Sequence, residues 1–406
     1  DVYKRQVVLF RYLNWPPILG YLLVGAAVGP HAFDLLPGHS DANHIAEFGV
    51  VFLMFSIGLE FSLPKLYSMK RIVFGLGAAQ VLLTALFVTA GLIFFGLSWR
   101  GAVAIGAVMA MSSTAVVSKL LVERMQLDSP HGREVMGVLL FQDLAVVPSL
   151  ILIPALGGSA EQMGSELAIA LLKAIVVLSV ILFFGQRLMR GWFHVVAKRK
   201  STELFMLNIL LVTLGLAWIT ELAGLSLALG AFVAGMLISE TEYRYQVEED
   251  IKPFRDVLMG LFFVTIGMLL NLDVVAQQAI WVVLTLVLLL LLKFAVAAGL
   301  SYRFGASPGT ALRTGLWLCA GGEFGFVLLA LTGRAALVPV AVLQVVLAAL
   351  VLSLVLAPLI SQYADKIVLR LVPSEWLLRS MQLTRIATQS MFIDRHAIIC
   401  LSLIHI

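Results

Sequence analysis

Several positions in this 406-residue chain place polar or ionisable groups inside otherwise apolar sequence. GVLLFQDLAVVPSL carries Gln142 and Asp143 with apolar residues on both sides for about two helical turns. MSSTA brings Ser112, Ser113 and Thr114 into a second apolar run, Lys293 interrupts LLLLLLKFAVAAG, and Glu323 sits in AGGEFG. A charge at the centre of a membrane helix costs about 2.5–3.5 kcal/mol on insertion scales; such residues face a wet cavity or a partner and mark ion or proton paths. Asp143 is therefore expected to be the place where a cation and a proton compete. Hydroxyls and freed carbonyls at Ser112, Ser113 and Thr114 would offer the oxygen ligands that a hard cation prefers. Lys293 needs a carboxylate or water, and Asp143 is its expected partner; snorkelling toward the helix end is the other reading. Glu323 is expected either to neutralise half-helix ends or to join a proton route. The structural alternatives are that Asp143 is a carboxylate paired with a lysine for assembly, and that Ser112, Ser113 and Thr114 are packing residues between helices.

Those positions need helices around them, and composition supplies them. The chain is 61% hydrophobic and 13% charged, with a mean hydropathy of +1.00, outside the range of soluble domains. Apolar runs long enough to cross a bilayer recur from end to end. After a stump at Val7–Tyr12 they fall at Pro17–Gly29, His44–Phe61, Ile72–Leu97, Gly101–Leu121, Val135–Leu156 and Leu167–Leu188. Six more follow at Leu204–Leu222, Leu225–Ile238, Pro253–Leu270, Ala279–Tyr302, Thr310–Leu331 and Val338–Tyr363. The pattern predicts an all-α polytopic membrane protein of about thirteen transmembrane helices, the first truncated, with the fifth and twelfth interrupted. Loops after odd-numbered helices hold Lys70, Arg71, Arg124, Arg133, Arg190, Lys200, Lys252 and Arg313; the alternate loops hold only Arg100 and Arg334. The positive-inside rule then puts the C-terminus in the cytoplasm. The formal charge of +4 is dispersed in short loops and gives no reason to expect nucleic acid. Cys319 and Cys400 are too far apart to indicate a disulfide framework.

An internal repeat organises the runs. ILGYLLVGAAVGP resembles ALGAFVAGMLIS, and VVFLMFSIGLEF resembles LFFVTIGMLLNL. With Gly20 on Gly230, Gly58 falls within one residue of Gly267, and Ser113 lies as far beyond Gly58 as Gly322 beyond Gly267. An odd number of helices separates the copies, so the repeat is inverted, a transporter signature whose paired broken helices point to the substrate site. Asp143 and Lys293 have no charged counterpart, their matching places being near Leu352 and Thr84. Glu47, Glu60, Lys173 and Glu221 are expected to be structural. TEYRYQVEEDIKPFRD reads as a cytoplasmic acidic loop. No His-Glu or Ser-Lys constellation supports an intramembrane enzyme, and His39, His131 and His194 are expected in loops.

IGLEFSLPKL, SSTAVV, GVLLFQDLAVVP, LALGAFVAGMLIS, VEEDIKPFRDVLMGLFFVTIGM and GGEFGFVLL resemble the Kef-type potassium/proton antiporters. These belong to the monovalent cation:proton antiporter superfamily that includes NhaA-like sodium exchangers. The resemblance implies an NhaA-like fold, with a core domain moving against a dimerisation domain and two discontinuous helices crossing beside the ion site. It implies that Asp143 binds the cation, that Gln142 marks the electroneutral branch, and that Lys293 is the basic residue of the eleventh helix. Glu248, Glu249 and Asp250 match the acidic centre of a regulatory loop. DRHAIIC, at 394–400, is similar to the opening strand of a nucleotide-binding regulatory domain, reached through a linker over 371–393.

The implied protein is a secondary antiporter of K+, with Na+ as the alternative, against H+, a homodimer in a bacterial inner membrane. No cofactor is expected in the membrane domain (7–370); a nucleotide is expected in the regulatory domain. A ligand-gated channel and a membrane sensor or scaffold are the competing readings. DVYKRQ (1–6) and LSLIHI (401–406) can be encoded by the two strands of one short DNA string that resembles a sequencing-library transposon end, so both are expected to be non-native.

Overall fold

The computed structural model describes residues 17–30, 39–60, 67–158, 163–198 and 201–372. The expected stump Val7–Tyr12, the ends expected to be non-native (1–6 and 401–406), the expected strand at 394–400 and all but two residues of the expected linker lie outside them. The first helices are α1 (Pro17–Val28), α2 (His39–Glu60) and α3 (Ile72–Phe94), the last opening as a π-helix over Ile72–Gly77. Then come α4 (Trp99–Ala110), α5 (Thr114–Glu123), α6 (Pro130–Ala155), α7 (Met163–Ala197) and α8 (Thr202–Leu222). The rest are α9 (Leu227–Ser239), α10 (Arg244–Met268), α11 (Leu272–Gln277), α12 (Ala279–Arg303), α13 (Pro308–Leu318), α14 (Glu323–Arg334) and α15 (Val340–Leu371). Serine side chains accept an N–H at the starts of α4, α5, α6, α8, α9 and α13, satisfying groups the helix itself leaves open.

Among the described residues six spans are long and apolar enough to cross a membrane, α4 and α5 counting together as one, and α13 with α14, bent by 47° at their break, make a seventh. The helices sort into two bundles. One is α1, α2, α8, α9 and α10; the other is α3–α6 with α12–α15, and α7 touches both.

Backbone contacts reproduce the repeat. A Cβ on Gly25 of α1 would lie 1.9 Å from Val264 O of α10, and one on Gly235 of α9 would lie 2.1 Å from Phe55 O of α2. Gly267 meets Leu22 O at 2.2 Å while Gly58 meets Phe232 O at 2.1 Å. Under the alignment of Gly20 with Gly230 and Gly58 with Gly267, each contact maps onto the other. The second bundle does the same: Gly106 of α4 packs on Ala85 O of α3, and Gly315 of α13 packs on Phe294 O of α12. Helices this close leave no room for a side chain, which explains why the repeat survives chiefly as glycines.

Four boundaries differ from expectation. The segment expected as an acidic loop is helical from Arg244, and Pro253 lies inside α10; buried Val247 and Ile251, four apart, dock this extension. Glu248, Glu249 and Asp250 therefore stand on a helix, not a loop. Helix α7 continues to Ala197 because Met189 and Phe193 are buried, so His194 is helical. His39 begins α2, and His131 is a buried residue in the first turn of α6. Helix α11, capped by Asn271, was not expected.

Gly25→Ala and Gly235→Ala should each destabilise the protein by several kcal/mol, because backbone rather than a flexible side chain opposes the new methyl. Thermal unfolding in detergent should show matching losses at these repeat-related sites. Gly299, with nothing near its missing Cβ, should accept alanine without loss.

Candidate functional site

The two broken helices meet at their breaks. Helix α4 ends at Ala110, Met111–Ser113 are extended or irregular, and α5 begins at Thr114. Helix α13 ends at Leu318 and α14 begins at Glu323. A Cβ on Gly322 would lie 2.4 Å from Ser112 C and O, so the two interruptions touch through backbone. The Ser112 hydroxyl donates to Leu318 O at 2.9 Å.

Breaking a helix leaves backbone groups without partners, and their burial away from water is costly. Side chains from four other positions supply partners here. Lys293 of α12, fully buried, donates to Met111 O at 2.5 Å and Ala320 O at 2.8 Å. Its ammonium thus lies at the C-terminal, partially negative ends of α4 and α13. Glu323 accepts from Ala115 N at 3.0 Å, placing a carboxylate at the partially positive start of α5. Gln142 accepts from Ser112 N at 2.7 Å, and the Ser353 hydroxyl of α15 accepts from Gly321 N at 3.0 Å. Ser112 and Gly321 are repeat-related, so α6 and α15 perform one service for the two breaks.

Asp143, 8% exposed, takes a hydrogen bond from the Thr114 hydroxyl at 2.9 Å. The site thus brings Ser112, Ser113, Thr114, Gln142, Asp143, Lys293 and Glu323 together at the breaks. The Ser113 hydroxyl caps α5 by accepting from Val116 N. One expectation is corrected. Lys293 is held by carbonyls and makes no bond to Asp143, and it is too deeply buried to snorkel. The reason is geometric: two helix ends converge on α12, and a cation there satisfies both. Glu248, Glu249 and Asp250 lie on the other bundle, away from this centre. Lys173 and Glu221 are exposed.

Sequence reasoning missed Gln80 and Ser353. Gln80 of α3 is fully buried and accepts from Gln142 Nε2 at 2.7 Å. The close approach that permits this is at Gly77, whose missing Cβ would fall 2.6 Å from Phe141 Cβ of α6. A glutamine in an apolar helix three residues after a glycine was a usable signal. Ser353 carried none, since serine is common between membrane helices.

A cavity of about 850 Å³ separates the two bundles at one end of the molecule, with Val50, Glu221 and Phe262 on one wall and Pro154, Arg334 and Gln344 on the other. On α6 it reaches up to Leu150, about two helical turns from Asp143. Phe263 of α10 and Phe326 of α14 meet edge to face between the bundles, with ring centres 6.3 Å apart.

Fold and centre together define a multi-span membrane protein with an inverted repeat and two discontinuous helices, the construction of secondary carriers. The chain belongs to the family "Sodium/hydrogen exchanger, transmembrane", whose model matches residues 5–362. It is 42% identical over 373 residues to an Alkalimonas amylolytica protein carrying the name K(+) efflux antiporter KefB, covering 92% of this chain and 56% of that protein. It is 45% identical over 321 residues to chloroplastic K(+) efflux antiporter 1 of Arabidopsis thaliana, covering 77% of this chain and 27% of that one. The chain thus spans about half of the first relative's length and less of the second's. The sodium proton antiporter MjNhaP1 of Methanocaldococcus jannaschii has the same fold, with a TM-score of 0.64 at 15% identity over 90% of this chain and 94% of that one.

Lys293→Ala should strand two buried carbonyls at the crossing, at a stability loss on the order of 3 kcal/mol. Chemical or thermal unfolding in detergent would measure it. A snorkelling lysine would give a change within about 0.5 kcal/mol.

Proposed function

We propose that this chain exchanges a monovalent cation for a proton by alternating access, with K+ as the cation and Na+ as the alternative. The observation that carries the reading is the placement of Asp143: a buried carboxylate on an intact helix, bonded to Thr114 at the first turn beyond a break. Lys293 and Glu323 are engaged by the backbone of the broken helices, so both side chains serve the scaffold. Asp143 then protonates on one side, and loses the proton and takes the cation on the other. Thr114, with Ser112 and Ser113 beside it, supplies further oxygen.

The two bundles give the movement a physical form. The bundle of α3–α6 and α12–α15 carries the whole centre, and the cavity separates it from the other bundle. Rocking one bundle against the other would close this cavity and open its counterpart at the opposite end. The neutral amide at Gln142 favours one cation for one proton, hence electroneutral exchange. Potassium is favoured by the names of the relatives. The resemblance of the sequence motifs to the Kef-type antiporters supports a homodimer in a bacterial inner membrane, with the C-terminus cytoplasmic by the loop charges. It also supports a nucleotide-binding domain after the membrane domain and a regulatory contact through Glu248, Glu249 and Asp250.

Asp143→Asn should abolish cation-dependent proton movement in proteoliposomes while leaving the protein folded. Comparing K+, Na+, Rb+ and Li+ in the same assay should give the largest response with K+. Exchange that survives Asp143→Asn would exclude this reading.

A further inference from the structure

Gln80 belongs to a directed chain of hydrogen bonds that starts and ends on the backbone of one break. At one end is Ala110 O, an acceptor, which takes a bond from Gln80 Nε2 at 3.4 Å. Gln80 Nε2 also donates to Thr84 Oγ1 at 3.2 Å. Gln80 Oε1 therefore faces the other way and accepts from Gln142 Nε2 at 2.7 Å. Gln142 Oε1 in turn accepts from Ser112 N at 2.7 Å, the donor at the other end. Both amides are fully buried, so water cannot repair a mismatch.

The two backbone ends dictate polarity along the whole chain. A carbonyl is only an acceptor and an N–H only a donor. Position 80 must give a hydrogen toward Ala110 and accept one from position 142. Position 142 must give a hydrogen toward position 80 and accept one from Ser112. A carboxylate at either place would set two oxygens against each other with no hydrogen between them. An amide, or a protonated carboxylic acid of the same shape, satisfies both demands.

We propose that Gln80 is a positioning residue for the exchange: it orients the Gln142 amide and so holds the Ser112–Thr114 break in the geometry that presents Thr114 to Asp143. This rests on the antiport reading above. Gln80 acts through Gln142 and Ser112 and does not itself touch the cation. The titratable groups nearest this chain are Lys293, bound to Met111 O beside Ala110, and Asp143, next to Gln142. The other charged residues of the helices packed on α3 (Arg100, Arg133, Glu134 and Arg303) sit near helix ends.

The test compares Gln80→Leu and Gln80→Glu with the parent chain in proteoliposomes, measuring the half-saturating K+ concentration and the maximal rate at pH 6 and pH 9. Gln80→Leu should raise the half-saturating concentration at least about tenfold, equivalent to about 1.4 kcal/mol. Gln80→Glu should stay within about threefold of the parent at pH 6, because full burial at this position favours the protonated acid, which copies the amide's polarity. It should fall toward the leucine variant at pH 9 wherever the acid ionises. An unchanged half-saturating concentration in Gln80→Leu overturns the proposal, and so does a Gln80→Glu variant as impaired as leucine at pH 6. If Gln80→Leu does not yield folded protein, the glutamate variant at pH 6 decides alone. A parent chain without exchange would instead refute the antiport reading, which separates the two failures.

Discussion

Everything at the centre of this protein follows from two helices that break where they meet. Gly322 lies against Ser112 so closely that backbone packs on backbone, and no side chain fits between. Such contact places helix ends, with their unsatisfied carbonyls and amides, in the interior of the molecule. In an apolar medium each such group is costly unless something answers it. Lys293, Glu323, Gln142 and Ser353 answer them, each from a different element. The charged residues that looked like transport chemistry are thus in large part the complement of broken backbone.

The two-fold repeat explains why the arrangement is possible, and its departures show where it is specialised. Glycine contacts recur in symmetry-related pairs through both bundles, so the scaffold is one packing solution used twice. The side chains at the crossing do not recur. Lys293 stands where the first half has Thr84, and that threonine accepts a bond from Gln80 instead of reaching a carbonyl. Gln142 and Ser353 both accept an N–H from a break, yet only α6 adds a carboxylate next in sequence. A symmetric frame provides the pivot, and asymmetric polar groups give its centre a net chemical character.

Most of this was legible in the sequence because glycines and buried polar residues are conspicuous against 61% hydrophobic residues. MSSTA and AGGEFG marked both breaks, and Gly25, Gly58, Gly235 and Gly267 carried the repeat. The partner of Lys293 was not legible. Sequence offers side chains as partners, whereas the partners here are Met111 O and Ala320 O, whose availability depends on where two helices stop. The helical start of α10 was missed for a similar reason. Pro253 and a run of acids read as a loop, but buried Val247 and Ile251 hold the segment helical through tertiary contact. Gln80 escaped notice because its meaning lies in a chain of polarity that only geometry reveals.

Charge bookkeeping at the crossing narrows what can be exchanged. Lys293 and Glu323 are a base and an acid, and each faces helix ends of the sign opposite to its charged form. Their hydrogen bonds run to backbone groups of the two breaks, so both side chains are tied to the helix termini. Their placement is therefore coupled to the integrity of the fold. Asp143 is in a different position, bonded to a hydroxyl that can turn to donate or accept. A carboxylate can keep a bond to such a partner both when protonated and when it shares its oxygens with a cation. The same centre thus joins side chains tied to the helix ends with a carboxylate that is bonded to a hydroxyl.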